Sequence, residues 1–204
     1  MRRSRVLAPV LLALMVSVGS SGCFLFGTTS NPSAGAAQNQ AQMRANLEQQ
    51  RASAKAGDPQ AQVMFAATLL GTLGNESAKA AYGEVDWDTM VAEAEAMLDE
   101  QAAGADENTA MQAMSLKAEL QAVTGRGAEA VATWQAAHDA KASFLTAVGL
   151  MLMSQKTGVA LADPVGFCGE NRSLAEGDMQ LYQYMQTCYA LNPAGSMDAA
   201  LPWA

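Results

Sequence analysis

The sequence predicts an all-α protein of antiparallel helical hairpins stacked side by side. Three observations carry that prediction. From about residue 39 onward Ala, Gln, Glu, Met and Leu dominate, all good helix formers. No stretch alternates Val, Ile or Thr with polar residues, so strand signals are nearly absent. Acidic N-caps and glycine stops recur about once per helix, with very short segments between them. Short connections make neighbouring helices antiparallel. An irregular helical bundle is the alternative that the same signals allow.

The first helix runs over about 40–56 and stops at Gly57. Asp58 as N-cap and Pro59 at the first helical position open the second, which ends near Gly71. Residues 75–85 read as a polar connector with room for one helical turn. The third helix starts at Asp86, with Asp88 in its first turn, and ends at Gly104. The fourth covers about 106–124 and stops at Gly125. The fifth covers about 128–141. The sixth covers about 143–155, with Gly158 as its stop. Residues 159–177 read as a loop. The seventh helix covers about 178–191 and is stopped by Pro193; the last eleven residues, ending Leu201-Pro202-Trp203-Ala204, read as irregular. Small residues recur at the expected contacts, among them Ala61, Ala66, Ala118, Ala130 and Ala137, and let helices approach closely.

The N-terminus has a different logic. Arg2, Arg3 and Arg5 form a positive segment, followed by the apolar run Val6 to Val18 and then Ser20-Ser21-Gly22-Cys23. A run of about 13 apolar residues suits an export signal, whereas a spanning helix needs about 20. The segment resembles the bacterial lipobox, an aliphatic residue and two small residues before cysteine. Ser21, Gly22 and Cys23 match it; Ser20 departs from the aliphatic position, which leaves ordinary signal-peptidase cleavage nearby, as before Gly27, and an uncleaved anchor as alternatives. The resemblance implies removal of residues 1–22 and lipidation of Cys23. Each buried methylene contributes about 0.8 kcal/mol, so several acyl chains make release negligible. Residues 23–38 then form the lipidated cysteine and a flexible Gly/Ser/Thr/Asn/Pro-rich tether. Phe24 stands where an Asp would signal inner-membrane retention, which implies an outer-membrane anchor facing the periplasm.

Charge and cysteines narrow the options. The chain has 12 Lys and Arg against 20 Asp and Glu, a formal net charge of −8. Loss of the three signal arginines takes the mature chain to about −11. This excludes a nucleic-acid partner and a basic lipid-binding patch. Of three cysteines, Cys23 is assigned to lipid, leaving Cys168 and Cys188. An even remainder in an exported protein points to a disulfide; two buried free thiols are the alternative. Closing a loop of this size contributes about 3 kcal/mol in the chain-entropy picture. A CxxC redox motif is absent.

Residues 54–66, AKAGDPQAQVMFA, resemble the opening of Sel1-like repeats, with Phe65 and Ala66 in place of Leu and Gly. Residues 125–137, with Gly125, Glu129-Ala130, Trp134 and Ala137, resemble the turn and following helix of a tetratricopeptide repeat. Lys117 and Gln121 depart from the Leu and Tyr of that repeat, and the 34-residue period is irregular. The resemblance covers about half of the mature chain. It implies a short α-solenoid over 39–158, with residues 159–204 as a C-terminal segment holding one helix and the disulfide. It also implies protein–protein binding.

No residue set predicts catalysis, a metal site or a cofactor. His138 is the lone histidine, near a helix C-terminus where a cation complements the dipole, and it has no obvious orienting partner. Glu93, Glu95, Asp99 and Glu100 read as a solvated helix face. Met111, Met114, Met151 and Met153 read as adaptable core packing rather than a thioether metal site, because no His or Cys cluster accompanies them. Trp134 and Phe144 read as core. Tyr182 and Tyr189, seven apart on one helix, are candidates for an exposed partner-binding stripe.

The functional expectation is a lipid-anchored scaffold that binds an unknown protein partner through a groove on the helices at about 59–71, 106–124 and 143–155. The competing expectations are a structural envelope lipoprotein whose groove is filled, and an enzyme acting on cell-wall material through acidic residues of 159–204. Whether that C-terminal segment crosses the repeats or stands apart separates the first two.

Overall fold

A computed structural model describes residues 32–104 and 106–191. The signal, Cys23 and the tail containing Trp203 lie outside the described residues. Within them the chain is all-α: α1 (Pro32–Lys55), α2 (Pro59–Leu73), α3 (Glu76–Tyr82), α4 (Trp87–Gly104), α5 (Glu107–Val123), α6 (Gly127–Ala140), α7 (Phe144–Thr157), α8 (Pro164–Asn171) and α9 (Gly177–Leu191). A 3-10 turn, Arg172–Leu174, follows α8. None of these helices is long and apolar enough to cross a membrane.

Side-chain caps set the helix starts. Asp58 accepts from the Gln60 N–H at 3.0 Å, Asn75 from Ser77 at 3.0 Å, and Asp106 from Asn108 at 3.0 Å. Asp86 accepts from both the N–H and the hydroxyl of Thr89. Ser143 and Thr146 form a reciprocal capping box. Each cap satisfies N–H groups that the first turn leaves without intrahelical partners.

Three expectations change. The tether expected to run to residue 38 is helical from Pro32. Proline fits a first helical turn, and Ala36, Ala37 and Gln38 propagate it. The connector at 75–85 holds the two-turn helix α3, while α2 continues past Gly71 to Leu73. The loop expected over 159–177 contains α8. Asp163 caps it, accepting from the Gly166 N–H at 2.9 Å, with Pro164 at the first position. The C-terminal segment therefore carries two helices rather than one. Asp163-Pro164 repeats the Asp58-Pro59 signal, but Gly166 and Gly169 soon after it suggest a loop.

The helices form two rows. In one, α2, α5, α7 and α9 contact each other in succession; α1, α4 and α6 pair with them as the other arms of the hairpins. Three local cores result. Leu47, Phe65, Leu69, Leu98 and Leu120 join α1, α2, α4 and α5. Ala118, Ala130, Trp134, Leu150 and Met153 join α5, α6 and α7. Met151, Cys168, Tyr184 and Cys188 join α7, α8 and α9. The buried positions of α4 (Met90, Val91, Ala94, Met97, Leu98) recur at the same spacing in α6 (Ala130, Val131, Trp134, Ala137, His138). Both following helices end in Thr-Gly, with Gly125 and Gly158 in the left-handed region at φ 78° and 70°.

Candidate binding groove

A groove of about 580 Å³ opens where the last turns of α2, α5 and α7 meet the first residue of α6. Leu70, Ala122 and Val123 supply its apolar lining; Gly74, Gly125 and Gly127 supply its glycine edges. Glu119, Lys156 and Thr157 add polarity. The three helices end on one side because each is the second arm of its hairpin. Gly127 matters for the shape: a Cβ there would lie 2.8 Å from Thr157 Cβ, so only glycine lets α6 start this close to the end of α7.

Glu119 of α5 and Lys156 of α7 form an ion pair at the groove. Lys156 is half exposed, so the pair contributes at most about 1 kcal/mol and can exchange for a ligand's charge. Residues 159–191 do not run across this groove: α9 packs chiefly on α7, and α8 on α9.

A smaller groove of about 240 Å³ lies between α1 and the start of α4. Its rim carries Arg44, Glu48, Arg51, Glu84 and Asp86, over Leu47, Val85 and Met90. Beside it Arg51 grips Glu93 with two hydrogen bonds, at 2.6 and 2.7 Å, and Lys55 adds a third at 2.7 Å. Arg51, then Lys55, hold the Glu93 carboxyl down to about 2. The same contact raises the Arg51 guanidinium above its ordinary value.

The carboxylates of α4 are therefore more than a solvated face. Glu93 binds α1, Glu95 pairs with Arg126 at the start of α6, and Asp99 pairs with Lys117 of α5 at 2.7 Å. Glu100 is exposed. One helix is thus tied to the hairpin before it, to its own partner and to the hairpin after it. Sequence reading placed these acids correctly on α4 but could not name their partners.

His138 is buried on α6. Its Nδ1 lies 3.0 Å from the Thr146 hydroxyl, and its ring tilts against Phe167 at 5.2 Å. It joins α6, α7 and α8 inside the fold instead of answering the helix dipole at the surface. Met153 sits in the central core, with Met111 packed against it, while Met151 is fully buried among α7, α8 and α9. The Trp134 ring packs against Gly149, where any Cβ would collide with it. Among the described residues no group of three His, Cys, Asp or Glu side chains could hold a metal ion.

Cys168 and Cys188 are joined by a disulfide, their Cα atoms 6.0 Å apart, linking α8 to α9. The tyrosine pair separates. Tyr182 is exposed and its hydroxyl accepts from Gln186, whereas Tyr189 is partly buried against the C-terminal core. They do not form one exposed stripe, because residues seven apart on α9 differ in how the helix end meets α7 and α8. Between them Tyr184 is fully buried and donates to the Cys168 carbonyl at 3.0 Å. Burial pushes its phenol well above the ordinary tyrosine value.

No protein-family model matches this sequence, and no curated protein or solved structure matches it significantly.

Proposed function

We propose that this protein is a lipid-anchored scaffold of the bacterial cell envelope that binds a segment of a partner protein in the α2–α5–α7 groove. Cys23 carries the lipid in this reading, and the anchor sits in the outer membrane facing the periplasm. One observation carries the binding role: three successive hairpins end around an open, apolar-floored groove with a single exchangeable ion pair on its rim. The repeated burial spacing of α4 and α6, and the Thr-Gly ends of α5 and α7, support a short repeat stack of the tetratricopeptide or Sel1-like kind. A filled structural groove is the weaker reading, since residues 159–191 pack at the α7 end and leave the groove open.

The test is crosslinking in intact cells with a photoreactive residue in place of Val123, followed by partner identification. A stoichiometric adduct that Ala122→Arg abolishes is the expected result. Uniform, weak labelling of many proteins, unchanged by Ala122→Arg, would count against a specific groove partner.

A further inference from the structure

We infer that α8 and α9 form a lid on α7, and that lifting this lid sets how fast a reductant can reach the Cys168–Cys188 bond. Cys168, Cys188 and Met151 are all fully buried. Met151 Sδ lies 3.7 Å from one cystine sulfur and 3.6 Å from the other. A cystine has no S–H, so these are van der Waals contacts between sulfurs, and the thioether of α7 covers both atoms. Val148 and Leu181 pack around the same cluster.

Reduction requires a thiolate to attack one cystine sulfur along the S–S axis, with the other leaving as thiolate. A second thiol of the reductant then resolves the mixed disulfide. The dithiol is oxidised to a disulfide, and Cys168 and Cys188 together take up two electrons and two protons. Met151 lies broadside to the S–S bond, and because both cysteines are fully buried no thiolate reaches the S–S axis while α9 sits on α7. The lid has the features of a unit that opens by itself. Its α8 is only 8 residues long, and the fully buried residues its cluster takes from the rest of the stack are Met151 and Ala147, beside the contacts of Phe167 with His138 and of Gln155 with Thr187. Once reduced, α8 and α9 lose their covalent link, and Ala147 and Met151 of α7 become uncovered.

The purified mature protein is treated with dithiothreitol, quenched with iodoacetamide and analysed by intact mass over time. In buffer the bond is expected to reduce at least ~100-fold more slowly than in concentrated urea. Met151→Ala is expected to speed reduction by ~10-fold, whereas Val91→Ala, a core truncation on α4 away from the lid, leaves the rate within about twofold. A native rate within about tenfold of the urea rate overturns the inference, because the cystine is then open without any lifting. Equal acceleration by Val91→Ala and Met151→Ala also overturns it, because the bond then opens only through global unfolding. Should Met151→Ala fail to fold, hydrogen exchange on the unmodified protein decides. Amides of 164–191 exchanging faster than those of 59–123 support the lid, and equal protection rejects it.

Discussion

The two ends of this molecule close the same kind of helical packing with different chemistry. At the N-terminal end, α1, α2 and α4 bury Leu47, Phe65, Leu69 and Leu98, and Arg51, Lys55 and Glu93 bridge α1 to α4. At the C-terminal end, α8 and α9 share one covalent bond, with Met151 against both sulfurs and Tyr184 hydrogen-bonded to α8. The two ends differ in how their short helices are held. α2 and α4 have 15 and 18 residues and can present a full apolar face. An isolated helix shorter than about 12 residues is marginal in water. At 8 residues, two of them glycine, α8 is tied to α9 by the disulfide. The 7-residue α3 is instead held by packing, with Tyr82 edge-on to Trp87 against the N-terminal core.

The comparison can be broken most sharply at Phe65. Phe65→Ala should cost about 3–5 kcal/mol, because a fully buried ring leaves a cavity among α2 and its neighbours. Urea unfolding read by far-UV circular dichroism measures it. Next comes the double change Cys168→Ser with Cys188→Ser, expected to cost about 3 kcal/mol. Here the loss should be local: hydrogen exchange speeds up over 164–191 while 59–123 keeps its protection. Uniform loss along the chain would show that the two ends are one cooperative unit.

Gly149→Ala probes the middle of the stack, where the Trp134 ring occupies the space a methyl needs. Overpacking there should cost about 1–3 kcal/mol, with a shift in tryptophan emission as Trp134 moves. Glu93→Gln should cost less, up to about 1 kcal/mol, since Arg51 and Lys55 remain partly hydrated. Its signature is pH dependence. The folded carboxyl is held at about 2 against an ordinary value of 4.5. The stabilisation is complete above pH 4.5 and disappears as pH falls toward 2. Melting temperature measured across that window should fall more steeply for the unmodified protein than for Glu93→Gln. Lys156→Ala should be nearly silent in stability and should matter only for a partner in the groove.

Much of the fold was legible because helix ends are local events. A capping oxygen reaches an N–H two or three residues away, so Asp58, Asp106 and Ser143 announce their helices without help from the rest of the chain. Cysteine arithmetic left Cys168 and Cys188 as a pair, and they are bonded. The early start of α1 was hidden by the Gly and Pro around it, and α8 by its glycines. The groove was legible only in outline. Reading α2, α5 and α7 as second arms of hairpins named its helices, but its position at their last turns depends on how closely α6 approaches Thr157.

The sequence by itself determined the all-α class and most helix boundaries, and pointed to Cys168 and Cys188 as a pair. Only the tertiary structure decided which hairpin α4's acids would grip, that Met151 would cover the cystine, that His138 would be buried, and that Tyr182 and Tyr189 would part. The physical reason is distance along the chain. Caps act over two or three residues, whereas Arg51 meets Glu93 across 42 positions and Cys188 meets Met151 across 37. Such contacts exist only once the hairpins have stacked.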